Sequence, residues 1–205
     1  MPHDTAVVFR GVGFRFDSAL APLFAHLSVH FPPGFTGIVG ANGAGKTTLL
    51  RLATGELAPD QGVVQSPARA VYCAQRTDEP PEALPALLAA TDAEAHALRG
   101  RLGIEPSFGE RWGSLSHGER KRAQIAGALW RDPALLAIDE PTNHLDLPSI
   151  ECLQAALADC PCGLLLVSHD ERLLSALAHT RWEIREGALE IRVAAGASDR
   201  RRDRT

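Results

Sequence analysis

Apolar and polar positions alternate along residues 6–16, Ala-Val-Val-Phe-Arg-Gly-Val-Gly-Phe-Arg-Phe. That period of two predicts a strand with one buried face. Residues 27–31 alternate again before Pro32-Pro33-Gly34 turns the chain. Thr36 to Val39 reads as a short buried strand, followed by a glycine-rich turn and a helix that begins near Lys46. Residues 62–64 and 69–72 read as short strands. Residues 78–107 are rich in Ala, Pro, Leu and Glu, which predicts helices broken by prolines. A turn at Gly113-Ser114 leads into a helix over Glu119–Trp130, which Asp132-Pro133 stops. Leu135–Ile138 and Leu164–Val167 are continuous apolar runs of strand length, as in parallel strands buried on both faces. A helix over Pro148–Ala158 between them makes a βαβ crossover. Residues 182–193 suggest a final hairpin around Glu186-Gly187, and the polar, arginine-rich residues 196–205 suggest a disordered tail. No internal repeat is visible.

This pattern predicts an α/β fold: one domain over residues 1–195, with a helical subdomain at about 76–130. The chain has 205 residues, 45% of them hydrophobic, enough for one real core. Its net charge of −4 argues against a generic nucleic-acid coat, although a local basic face remains open. Purely apolar stretches reach about five residues, as in Ala134–Ile138, far below the ~18 a membrane span needs. The start Met1-Pro2-His3-Asp4 has no secretory character. A cytoplasmic protein without membrane insertion is therefore expected, with Cys73, Cys152, Cys160 and Cys162 as reduced thiols. Only two of the 21 basic residues are lysines, Lys46 and Lys121.

One lysine falls in a motif. Gly40-Ala41-Asn42-Gly43-Ala44-Gly45-Lys46-Thr47 satisfies G-x-x-x-x-G-K-[ST]. Glycines let consecutive N–H groups wrap a phosphate, and the helix that follows points its positive end at the same anion. Lys46 reaches the outer phosphates, and Thr47 offers a hydroxyl to Mg²⁺. A glycine-rich turn with an accidental lysine is the plainer alternative. Asp139 and Glu140 follow the apolar run 135–138. Asp139 suits Mg²⁺ bound through water and Glu140 suits polarising the attacking water, although two acids at a strand end also make an ordinary turn.

Together these residues make the chain resemble the nucleotide-binding domain of ATP-binding cassette (ABC) proteins, over about residues 5–193. Gly40–Thr47 resembles the Walker A loop, with Thr48 next to it. Gln75 matches the Q-loop glutamine, Leu115-Ser116-His117-Gly118-Glu119 the signature, Asp139-Glu140 the Walker B acids, and His169 the switch histidine. The string 139–146, Asp-Glu-Pro-Thr-Asn-His-Leu-Asp, is similar to that of the ABC-F branch, as is 167–174. Two positions depart from the family pattern. His117 replaces a signature glycine, and Phe16 stands where a tyrosine commonly stacks on adenine, with Phe9 and Phe14 competing for that place.

The resemblance implies a P-loop NTPase with a mixed or parallel core sheet, an antiparallel β subdomain and a short helical subdomain. It implies an ATPase that works as a head-to-tail dimer with a second cassette, in a homodimer or heterodimer. Thr47 and Gln75 would hold Mg²⁺ with Asp139 behind them. Glu140, His169 and Gln75 would serve catalysis. Ser116, His117, Gly118 and Glu119 would act across the interface, and Asp146 would link the two sites. ABC-F proteins have no transmembrane domains, and many act on the ribosome. A transporter's ATP-binding subunit, with its spans on a separate chain, and a low-turnover regulatory dimeriser are the alternatives. ABC-F chains usually carry two cassettes and a long linker. One cassette is expected here, as a standalone half, a fragment or a cassette reused elsewhere.

Other residues receive plainer readings. His26, His30, His96 and His179 lack metal-ligand spacing and read as surface or core residues, and His144 as loop packing. Trp112, Trp130 and Trp182 read as core or interface packing. Glu119-Arg120-Lys121-Arg122 reads as a solvated helix face, with an RNA- or partner-contacting face as the alternative. Arg200–Arg204 reads as a solvated tail, with RNA or acidic lipid as the alternative.

Overall fold

Two sheets share one helix between them. The computed structural model describes residues 6–143, 145–185 and 187–192. The expectations for His144, Glu186 and the arginine-rich tail lie outside these residues.

Strands β1 (Val7–Phe14), β2 (Phe24–Phe31) and β4 (Gln61–Gln65) form a three-stranded antiparallel sheet in the order β2-β1-β4. β3 (Phe35–Gly40) belongs to a second sheet and leads into α1 (Lys46–Ala53). β5 (Ala70–Cys73) is followed by the helices α2 (Leu84–Ala89), α3 (Ala93–Leu102) and α4 (His117–Trp130). The crossover β6 (Leu135–Asp139), α5 (Leu147–Ala158), β7 (Gly163–Val167) follows as expected. Then come α6 (Glu171–Leu177), β8 (Thr180–Arg185) and β9 (Ala188–Arg192). The second sheet runs β5-β6-β7-β3-β8-β9, parallel except for the antiparallel hairpin strand β9.

The apolar strands serve two cores by alternation. Leu136, Ile138, Leu164 and Leu166 point to the side covered by α4, α5 and α6. Leu135, Ala137, Leu165 and Val167 point to the other side, where they meet Leu49 and Leu50 of α1. Beyond α1 the antiparallel sheet supplies Val7, Phe9, Phe24 and Phe31. The helix α1 is thus clamped between the sheets, and the loop before it is held from both sides.

Several elements differ from expectation. α4 begins two residues before Glu119 because Ser116 caps it. α6 is absent from the sequence reading, although Asp170 caps it with bonds from Arg172 N–H (2.8 Å) and Leu173 N–H (3.1 Å). Cys160 and Cys162 are joined in a disulfide, not reduced. Pro161 turns the chain after α5 and leaves their Cα atoms 5.3 Å apart, within bridging range. Cys73 and Cys152 are free. Trp112 is buried and Trp182 packs edge-on against Phe31, in line with packing roles. His179 stacks on Phe35, while His26, His30 and His96 are exposed. Among the described residues no His/Cys/Asp/Glu group could hold a metal ion, and no helix is long and apolar enough to cross a membrane.

Candidate functional site

The glycine-rich loop leaves β3 at Gly40 and enters α1 at Lys46. Gly45 has φ 100°, which favours glycine, and a Cβ there would lie 2.8 Å from the Phe24 ring. The first N–H groups of α1 have no partner within the helix and carry its positive end. Lys46 is buried, and its Nζ donates back to Gly40 O at 2.9 Å and Ala41 O at 3.1 Å. The loop is closed by the same side chain that the motif assigns to phosphate.

Thr47 Oγ1 donates to Asp139 Oδ2 at 2.6 Å, which ties α1 to the end of β6. Tyr72 on β5 donates to the same oxygen at 3.2 Å. Burial, reinforced by the charge and hydrogen bond of Asp139, pushes the Tyr72 phenol above its ordinary value, so it stays a donor. Glu140 follows at φ 44°, a conformation that costs a non-glycine residue about 1–3 kcal/mol. Its N–H donates to Val167 O at 2.9 Å and anchors the turn on β7. The buried carboxylate meets His169 twice: Oε1 is 3.3 Å from Nε2, and Oε2 accepts from the backbone N–H at 3.3 Å.

Lys46, Thr47, Asp139, Glu140 and His169 line one cleft of about 870 Å³, together with Phe16, Leu23, Asn42, Gly43, Gly45, Thr48, Gln75 and Asn143. Phe9 and Phe14 are buried in the core, so of the three candidate aromatics only Phe16, 42% exposed, faces the cleft. Its ring stands edge-on to Phe14 with centroids 5.0 Å apart. Ala41 is exposed on the loop, and Ala44 packs on the core. Asn143 was not singled out by the sequence reading. Its place four residues after Asp139 was the available signal.

The four signature residues lie elsewhere, and none lines this cleft. Ser116 Oγ accepts from Glu119 N–H at 3.2 Å, and Glu119 Oε2 accepts from Ser116 N–H at 2.8 Å, a reciprocal cap. The bonds from Ser116 hold the Glu119 carboxyl below its ordinary value. His117 opens the helix on an exposed face, while Gly118 is buried against Ser149. Asp146 caps α5 by accepting from Ser149 N–H at 3.1 Å, and those Ser149 bonds lower its carboxyl too.

The basic run after Glu119 is not a solvated face. Lys121 is 3% exposed. Its Nζ donates to Ala74 O (2.7 Å), Gln75 O (3.1 Å) and Gln124 Oε1 (2.9 Å). Burial pushes this ammonium down to about 8. Arg120 donates to Trp112 O and Gly113 O, and Arg122 to Leu102 O. The run turns inward because carbonyls of the preceding loops accept its donors.

A family model described as "ABC transporter" matches residues 24–143. The chain belongs to that family. It is an ABC cassette of the ABC-F type, as its relatives indicate. It is 40% identical over 164 residues to "Tylosin resistance ATP-binding protein TlrC" of Streptomyces fradiae, matching 74% of this chain and 29% of that protein. It is 37% identical to "ATP-binding protein Uup" of Caulobacter vibrioides, over 78% of this chain and 27% of that one. It is 35% identical to "ATP-binding cassette sub-family F member 2" of Bos taurus, over 71% of this chain and 25% of that one. The cassette thus spans under a third of the relatives it matches. The fold is similar to that in "Structure of a bacterial Atm1-family ABC exporter with ATP bound": TM-score 0.77 and 21% identity, over 93% of this chain and 39% of that one.

The residues of this cassette fit a magnesium nucleotide. The donors at its acidic end are hard oxygens from Thr47, Asp139 and the Gln75 amide, which suit Mg²⁺. Asp139 and Glu140 are buried side by side, and no arginine or lysine forms an ion pair with either among the described residues.

Proposed function

We propose that this cassette binds MgATP and hydrolyses it to ADP and phosphate, in a head-to-tail dimer with a second cassette. The observation that carries the reading is the Thr47–Asp139 bond of 2.6 Å in the same cleft as Lys46, Gln75 and the Glu140–His169 pair. Mg²⁺, when bound, supplies charge neutralisation at the phosphates. The chain's own residues do the rest. Lys46 and the N–H groups of the loop and α1 hold phosphate oxygens. Asp139 orients the Thr47 hydroxyl and, with Gln75, fixes the metal's place. The Phe16 ring offers an apolar face to the base. Glu140 orients water and accepts its proton, and His169 holds that carboxylate in position. Ser116 and Gly118 lie outside the lining of this cleft, which supports their service to the partner's nucleotide. Asp146, beside them at the start of α5, suits the link between the two sites.

The ABC-F relatives support a cytoplasmic role on an assembly such as the ribosome. Two variants test this reading. Glu140→Gln should bind MgATP, form a dimer by light scattering, and lose turnover by about 10²–10⁴-fold, the usual contribution of a general base. A variant that still hydrolyses at the parent rate removes Glu140 from that role. Lys46→Ala should lose nucleotide affinity, and unchanged binding sinks the phosphate assignment. Tagged Glu140→Gln protein purified with MgATP should bring ribosomal subunits, lost when Lys46 is also changed. An integral membrane protein in their place makes the chain a transporter's ATP-binding subunit.

A further inference from the structure

We propose that Lys121 is a positioning residue that fixes Gln75, joining the start of α4 to the cleft of its own chain. The inference rests on the MgATP reading above.

The loops of the cleft do not have equal support. The glycine-rich loop follows β3, Asp139 and Glu140 end β6, and His169 follows β7, and each of these strands has a neighbour on both sides. Gln75 follows β5, an edge strand, which among the described strands pairs with β6 alone. Its backbone has no second strand to hold it. Lys121 supplies the missing anchor through Ala74 O and Gln75 O.

The choice of residue is informative. Of 21 basic side chains only two are lysines, and both cap two consecutive carbonyls of a loop beside the cleft. An ammonium has three donors, and the two carbonyls with Gln124 Oε1 satisfy all three. An arginine has five donors in a rigid plane, more than these acceptors could meet. Among the described residues no carboxylate forms an ion pair with Lys121, whose three donors go to uncharged acceptors. Burying such a cation is costly unless its donors are satisfied, and an apolar side chain would fill the space more cheaply. The lysine is therefore explained by what it holds.

The same helix holds the loop's other end. Trp112 Nε1 donates to Asp78 O at 3.0 Å, and Arg120 binds the carbonyls of Trp112 and Gly113. Residues 74–78 are thus tied to α4 directly through Lys121 and indirectly through Trp112, whose carbonyl Arg120 holds. A shift of the first turn of α4, where a second cassette would press, carries Gln75 with it.

The test compares Lys121→Met, which keeps the volume and loses the donors, with its parent, both in the hydrolysis-deficient Glu140→Gln protein. Amide exchange at residues 74–76 should rise about tenfold or more, the loss of one hydrogen bond to a charged group, while residues 36–47 and 135–140 stay protected. ATP affinity without Mg²⁺ should stay within about twofold, and the gain on adding Mg²⁺ should fall about tenfold, again one such bond. In a Gln75→Ala background Lys121→Met should change that gain no further. If Lys121→Met does not fold, Lys121→Leu, which also lacks donors, carries the same measurements. Unchanged exchange, an unchanged Mg²⁺ gain, or an equal loss in the Gln75→Ala background overturns the proposal. If the parent binds no ATP, the function reading fails instead, and exchange at 74–76 still decides whether the anchor exists.

Discussion

Gly118→Ala has a sign that depends on one neighbouring oxygen. Gly118 lies in the first turn of α4, and a Cβ built there stands 2.7 Å from Ser149 Oγ and 3.3 Å from Ser149 Cβ on α5. Ser149 is buried at the capped start of α5 and has little room to retreat. Overpacking of this kind costs about 1–3 kcal/mol. Against it stands the helix preference of alanine over glycine, about 0.5–1 kcal/mol. The substitution should therefore destabilise by about 0–2.5 kcal/mol. Ser149→Ala removes the 2.7 Å contact and leaves only the milder one. In that background the helix preference dominates, and Gly118→Ala should turn neutral or stabilising. The coupling of about 1–3 kcal/mol is read from a double-mutant cycle by urea unfolding. In a chain of this size about 1 kcal/mol moves Tm by about 2–4 °C, within reach of calorimetry. Equal destabilisation in both backgrounds, within about 0.5 kcal/mol, would refute the claim that this contact sets the separation of α4 from α5.

Other outcomes follow from local geometry. Ser116→Ala removes the cap of α4 and should cost about 1 kcal/mol in urea melts. Glu119 is held below its ordinary value of 4.5, so its support is complete above that value and lost as pH falls through the lowered one. Glu119→Gln keeps the cap without the titration and should flatten that part of the acid-unfolding curve. Leu166, 1% exposed in a strand covered on both faces, should cost about 2–5 kcal/mol when changed to Ala. Cys73 is fully enclosed and burial pushes its thiol up to about 12, so a thiol reagent at neutral pH should reach it only in unfolded protein.

The phosphate loop, the acids after β6 and the two apolar parallel strands were legible in sequence because each is a contiguous run whose chemistry depends on near neighbours. Gly45 needs its backbone freedom and Lys46 closes its own loop within six residues. Ser116 and Glu119 cap a helix three residues apart, a local pattern that the reading from Glu119 onward passed over. The family resemblance put Phe16 at the adenine position, but periodicity alone did not separate it from Phe9 and Phe14, since all three share one alternating run. Only the bend of the chain after β1 leaves Phe16 outside the core.

By itself the sequence determined the cassette type, the nucleotide loop and most of the elements, because these follow from local periodicity and from motifs of adjacent residues. The tertiary structure alone decided which distant groups meet. It placed β5 at a sheet edge, brought Tyr72 and Thr47 to one oxygen of Asp139, and turned Lys121 away from solvent toward Ala74 and Gln75. The charged run Glu119-Arg120-Lys121-Arg122 reads as a solvated face when only its neighbours in sequence are considered. Carbonyls 46 and 47 residues away reverse that reading, because with Gln124 they satisfy all three donors of the ammonium and so let it leave solvent.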